Sequence, residues 1–330
     1  MEINDKIINL SHGGGGKASF ELLNNTIFEK INNPVLSNLG DAAYISGNLA
    51  FTTDSFVVYP EFFCGGDIGK LAICGTCNDL AVSGAAPVWL SLSLVIPEGY
   101  EISKIKRIMN SIRDSVSEIG VNIVCGDTKV IESGSLKGLI VNTSGIGNIK
   151  KKLNLYDNIE VGDKVIFTSD VARHGISIVM ARNDLKFEGT IKSDCCHLYN
   201  ILKDLDYNDI HFSRDATRGG VAAVLNEIVY MAKKGIIIYE EDIKIEDKVK
   251  YLCEMLGFDP LTVANEGLAV LIVKDEKAAK IIEHLRKNEN AVNACIAGEV
   301  IEEVIVALKT IYGPLRNVEM PSGVLLPRIC

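Results

Sequence analysis

Ser213-Arg214-Asp215-Ala216-Thr217-Arg218-Gly219-Gly220, followed at once by the apolar run 221–234, is the most informative stretch of the chain. The run has helical spacing, so the two glycines stand at a helix start. Free N–H groups and partial positive charge at such an end face an anion. Glycine there lets a ligand approach the backbone. Asp215 is placed to reach a metal and Arg218 a phosphate, with plain helix capping as the alternative. Outward toward the C-terminus, strands are expected at 235–239, 269–273, 294–300 and 304–308, and helices at 248–256 and 276–286. Toward the N-terminus lie a strand at 164–169 and a helix at 175–181. Helices interleaved with short apolar strands make an α/β domain.

Lys150-Lys151-Lys152 and the polar stretch 156–162 separate this half from an earlier one. There, apolar strands at 49–53, 56–58, 89–95 and 136–146 surround helical spacing at 68–82 and 102–119. The expected division is a glycine-rich segment 1–35, a first domain 36–150, a second domain 151–310 and a mobile tail 311–330. The last 18 residues contain three prolines and two glycines, against any long helix or central strand. Fully extended they span roughly 60 Å.

The 330 residues carry a formal charge of −9, and no basic patch stands out, which argues against a nucleic-acid partner. No apolar run is long enough for a membrane helix, and Met1-Glu2-Ile3-Asn4-Asp5-Lys6 is no secretory signal, so a cytoplasmic location is expected. Nine cysteines, an odd number, suit reduced thiols. Cys74 and Cys77 form one CxxC, and structural zinc needs four ligands.

Ser11-His12-Gly13-Gly14-Gly15-Gly16-Lys17 could wrap N–H groups around phosphates, with the Lys17 ammonium adding charge, or be a plain loop; it lacks P-loop spacing. Aspartates recur in short polar contexts: Gly40-Asp41, Thr53-Asp54, Gly66-Asp67, Asn78-Asp79 and Gly126-Asp127-Thr128-Lys129. One such Asp is ordinarily a turn or cap residue, but five at element ends suit Mg²⁺ and polyphosphate. Asn265-Glu266-Gly267 puts a carboxylate at a strand start, a solvated edge or a general base. Cys330 ends the sequence on the apolar segment Val324-Leu325-Leu326-Pro327-Arg328-Ile329, as an inert thiol or an acyl carrier.

Together these segments resemble the HypE family of hydrogenase maturation factors, within the superfamily of aminoimidazole ribonucleotide (AIR) synthetase and selenophosphate synthetase. The resemblance is carried by Asp54-Ser55-Phe56-Val57-Val58, Gly65-Gly66-Asp67-Ile68-Gly69-Lys70-Leu71, Asn78-Asp79-Leu80-Ala81-Val82, Gly126-Asp127-Thr128-Lys129-Val130, Ser213-Arg214-Asp215, Thr217-Arg218-Gly219-Gly220, Asn265-Glu266-Gly267 and Pro327-Arg328-Ile329-Cys330. It covers nearly the whole chain. Cys64 and Ala216 stand where proline is usual, and Cys77 is a further small departure.

The resemblance implies a two-domain AIR synthetase-like α/β (α+β) fold whose first domain forms an intersubunit β-barrel in a homodimer. It implies ATP and Mg²⁺ as cofactors, and partners HypF, a carbamoyltransferase, and the HypC–HypD complex. It implies ATP-dependent dehydration of a carbamoyl group on Cys330 to a thiocyanate. Glu266 would act as base with Lys129 tuning charge, and Asp41, Asp79 and Asp215 would hold metal. Gly14, Gly15, Gly16, Lys17, Asp54, Asp67, Lys70, Asn78, Asp127, Thr128, Arg218 and Gly219 would bind nucleotide. The alternatives are another ATP-dependent enzyme of the superfamily, such as a selenophosphate or thiamine-phosphate kinase type, or a nucleotide-sensing scaffold whose tail cysteine holds iron.

Overall fold

The computed structural model describes residues 7–31, 33–36, 39–182 and 189–322. The first domain is built on a five-stranded sheet in the order Ala43–Ile45, Leu49–Phe56, Ile140–Ile149, Ala85–Pro97, Asn122–Ile131. All neighbours are antiparallel except the last pair, Ala85–Pro97 with Asn122–Ile131, which is parallel. Helices Ile68–Val82 and Ile102–Ile119 begin and end where their spacing predicts. The second ends on Gly120, in the left-handed conformation that closes a helix without a Cβ penalty.

Helix Ile68–Val82 is buried at every position but Lys70 and Asp79. A helix apolar all round must be covered on all sides. The sheet covers one side, and the second domain, through helix Leu198–Leu202 and strand Ile210–Asp215, covers another. This helix is therefore the shared core of the two domains, and Asp79 is a carboxylate that packing alone would not retain.

The second domain holds a seven-stranded mixed sheet: Leu315–Asn317, Val306–Lys309, Gly235–Tyr239, Cys295–Ile301, Lys164–Phe167, Ala269–Val273, Ile210–Asp215. Ala269–Val273 is buried on both faces. Val270 and Ile272 join the core with helices Gly220–Ala232 and Asp247–Leu256. Ala269, Leu271 and Val273 join that of helices Leu198–Leu202 and Asp275–Leu285.

Several elements depart from the sequence expectation. The strands foreseen at 49–53 and 56–58 are one strand, Leu49–Phe56. Strands Asn122–Ile131 and Ile210–Asp215 were not foreseen, because Gly126-Asp127 and Ser213-Arg214-Asp215 have turn composition. The polar stretch after Lys150 is packed: the backbone N–H groups of Leu153 and Asn154 donate to the Tyr44 hydroxyl, and Tyr156 is buried against Phe212.

The chain is also anchored beyond residue 311, where a mobile tail was expected. Leu315–Asn317 pairs antiparallel with Val306–Lys309. Asn226 Nδ2 donates to the Val318 carbonyl at 2.9 Å, and Lys17 N donates to the Pro321 carbonyl at 3.1 Å. The short edge strand needs only three residues free of proline, which Leu315, Arg316 and Asn317 supply. Cys330 lies outside the described residues.

Candidate active site at the domain interface

Three parts of the chain meet at a cavity of about 230 Å³. The first domain contributes Asp41, Thr52, Thr53, Asp54 and Asp79; the second contributes Asp215, Thr217, Arg218 and Glu227 among others. The N-terminal loop contributes Gly15. Ala223 and Val224 also line it, so the first turn of helix Gly220–Ala232 faces the cavity with its positive end. Gly219 caps that helix with φ +78°, a conformation glycine adopts without strain.

The carboxylates crowd one another. Thr52 Oγ1 donates to Asp79 Oδ2 at 2.7 Å. Arg214 bridges two acids, with Nε 3.1 Å from Asp41 Oδ1 and Nη1 2.8 Å from Glu227 Oε2. Burial raises Asp41 to about 6, with Arg214 opposing and Glu227 and Asp54 adding to the rise. Burial, then the charges of Asp54, Asp215 and Asp41, hold Asp79 well above the carboxylate range. Asp215 is raised in the same way, by burial and then by Asp41. Asp54 is raised by burial, with the nearby Arg218 charge opposing. Such a set favours a cation between its members.

Among the described residues, no three His, Cys, Asp or Glu side chains converge on one metal position. Mg²⁺ commonly takes only one or two carboxylates and completes its shell with phosphate oxygens and water. The donors here, all hard oxygens, fit that ion if a polyphosphate shares it.

Glu266 is buried in the loop before Ala269–Val273 and is not among the residues lining the cavity. Burial, then the charges of Asp215, Asp194 and Asp54, push its carboxyl well up. Its backbone is held at both ends. The N–H donates to Asp194, and the carbonyl accepts from Asn78 Nδ2 at 3.0 Å. Next to it, Asn265 receives the Ala172 N–H at 2.7 Å and donates to the Ala216 carbonyl at 2.9 Å, tying this loop to the residue after Asp215.

Other residues singled out by sequence fall elsewhere. Asn78 is not available for nucleotide: its two donors go to the carbonyls of Cys196 and Glu266, and its oxygen receives the Leu198 N–H. It staples the domains together. Asp67 is the N-cap of helix Ile68–Val82, receiving the N–H groups of Gly69 and Lys70. Lys70 Nζ donates to the Gly65 carbonyl, within its own loop. For both, the local cap-and-turn chemistry prevails. Asp127, Thr128 and Lys129 lie on the edge strand Asn122–Ile131, separated from Leu49–Phe56 by two intervening strands, with Lys129 Nζ 3.9 Å from Asp127 Oδ2 and facing solvent. Within one chain they do not join the aspartates.

The glycine loop does reach the cavity. Gly15 has φ +77°, and a Cβ there would sit 2.7 Å from the Arg218 Cβ. A Cβ on Gly16 would sit 2.2 Å from the Pro321 carbonyl oxygen. Gly14 is the C-cap of the short turn Leu10–Gly13, and Lys17 lines a neighbouring groove of about 1170 Å³. That groove, with Phe20, Leu39, Tyr44 and Tyr230 in its walls, shares Arg214 and Glu227 with the aspartate cavity. Sequence missed Thr52, Arg214 and Glu227. Arg214 carried a signal, as a charge just before the helix start, and Glu227 as the one acid within the apolar helix Gly220–Ala232.

The fold and its acid-lined cleft define an AIR synthase-related protein: models of that family's N-terminal and C-terminal domains match residues 39–149 and 160–310. The carbamoyl dehydratase HypE of Rhodobacter capsulatus is 40% identical over 340 aligned residues, covering 100% of both chains. A chain of the HypE–HypF complex is 40% identical with a TM-score of 0.88, covering 91% of this chain and 99% of that one. HypE solved in complex with ATP is 35% identical with a TM-score of 0.82, covering 98% and 100%. The chain belongs to the HypE family of hydrogenase maturation proteins.

Proposed function

We propose that the chain uses ATP and Mg²⁺ to dehydrate an S-carbamoyl group on Cys330 to a thiocyanate, the source of the cyanide ligand of [NiFe]-hydrogenase iron. The observation that carries this is the contact between Gly16 and Pro321. It fixes the last described part of the chain beside Gly15, which lines the aspartate cavity. The eight residues from 323 to 330 span at most roughly 26 Å when extended, enough to cross a cavity of this size.

The triphosphate would lie among the aspartates and the first turn of helix Gly220–Ala232, with the adenosine in the adjoining apolar groove. Asp41, Asp79 and Asp215 would hold Mg²⁺, one or two of them at any one ion with phosphate oxygens and water completing the shell, and the metal would offset charge on the transferring phosphoryl group. Asp54, Arg218 and the glycine loop would position the phosphates. The carbamoyl oxygen attacks the γ-phosphate and ADP leaves, turning a poor leaving oxygen into a phosphate ester. Glu266 takes a proton from nitrogen. Loss of the second N–H proton and of phosphate leaves S–C≡N, with the carbamoyl oxygen carried off in the phosphate.

A carbamoyltransferase, HypF, would load Cys330, and HypC–HypD would receive the cyanide. The chain would work as a homodimer in the cytoplasm. The support for the dimer is strand Asn122–Ile131, an edge exposed along nearly its whole length in one chain. Across such an interface, Asp127, Thr128 and Lys129 would serve a neighbouring cleft. No described helix is long and apolar enough to cross a membrane.

Phosphate release tests the proposal. With the carbamoylated full chain, one phosphate per carbamoyl group is expected, and Cys330→Ala should release none above background. Release on a free small substrate that is indifferent to Cys330→Ala would overturn it in favour of another enzyme of the superfamily.

A further inference from the structure

Asp194 is buried, yet it lies outside the aspartate cavity. Its two oxygens receive the Glu266 N–H, each at 3.2 Å, and Oδ2 also receives the Gly267 N–H at 3.1 Å. The fit is close: a Cβ on Gly267 would lie 2.0 Å from the Asp194 carbonyl oxygen. The segment is pinned on its other side, where Ser193 N donates to the Cys64 carbonyl and Ser193 Oγ pairs with His174 Nδ1 at 2.8 Å.

We propose that Asp194 is a positioning residue: its carboxylate grips the two amides and sets the orientation and charge environment of the Glu266 carboxylate. This rests on Glu266 being the base proposed above. A neutral acceptor could hold one amide, and burying a charge is costly unless it is hydrogen-bonded. The retained charge therefore has a second consequence. It disfavours ionised Glu266 and so strengthens it as a base. Burial brings Asp194 itself to about 6, with the Gly267 and Glu266 N–H groups and Arg173 holding it down. The groups acting on Glu266 are Asp215 and Asp54 from the cavity side, Asp194 beneath its backbone, and Cys74 and Cys195 from the domain interface.

The test is the pH profile of single-turnover dehydration by the full chain, carbamoylated in a separate step. Asp194→Asn keeps the shape and removes the charge. Its acidic limb should move to lower pH by about one unit, with the plateau rate down about tenfold and ATP affinity within about twofold. A profile that superposes on the parent chain overturns the proposal. Glu266→Gln is run beside it. If that variant turns over at the parent rate, the base assignment fails; if it is inactive and Asp194→Asn is unshifted, only the role of Asp194 fails. Should Asp194→Asn not bind ATP, Asp194→Ser, which keeps a hydroxyl acceptor without charge, is read by the same limb.

Discussion

Arg214 is the residue on which the acid cluster depends. It sits between Asp41 and Glu227 and also donates to the Tyr156 hydroxyl at 3.1 Å. Replacing it with leucine strands two largely buried carboxylates, so a loss of about 3 kcal/mol is expected in urea unfolding. His174 sets a different limit. It is fully buried, its ring edge-on to Phe63, and burial lowers its pKa from 6.5 to about 3. The folded chain therefore refuses a proton that the unfolded chain accepts. The stability this histidine permits is complete above its ordinary pKa and is lost as pH falls from there toward about 3. Thermal melts of His174→Gln should show a shallower fall with acidification than the parent; equal slopes would refute this. At this scale the structure places two of the aspartates singled out by sequence, Asp79 and Asp215, in the wall of the cavity. Asp67 instead caps the helix that follows it, through N–H groups two and three residues on, and Asn78 staples the domains through partners distant in the chain, which sequence does not display.

Helices Ile68–Val82 and Ile102–Ile119 were legible because each carries a long periodic pattern with a clear start or stop. Strand Asn122–Ile131 was not, since it is left exposed among the described residues and its sequence alternates weakly. Val124 and Val130 are 60% and 67% exposed there, apolar residues on an unpaired edge. Such an edge is a template for pairing. Val124→Glu should therefore convert a dimer to a monomer in sedimentation velocity, with dehydration falling in parallel if Lys129 serves the neighbouring cleft. A variant that stays dimeric would move the interface elsewhere. Strand Leu315–Asn317 was hidden for a different reason: three residues beside two prolines carry no periodicity, and pairing with Val306–Lys309 alone defines them.

Over the whole molecule, the two domains share one buried helix, and the cavity exists only where both meet the N-terminal loop. The two α/β halves were visible in the sequence; their junction was not, because Tyr44, Asn78 and Asn154 reach across it through single side chains, to Leu153, Glu266 and Asp41 respectively. The same junction brings Pro321 against Gly16, next to the loop residue Gly15 that lines the cavity. The decisive measurement is the mass of the C-terminal peptide after the carbamoylated full chain has been given ATP and Mg²⁺ for one turnover. The expected result is an adduct on Cys330 lighter than the carbamoyl group by one water, formed only with hydrolysable ATP. A carbamoyl adduct that persists unchanged while ATP is consumed would contradict it.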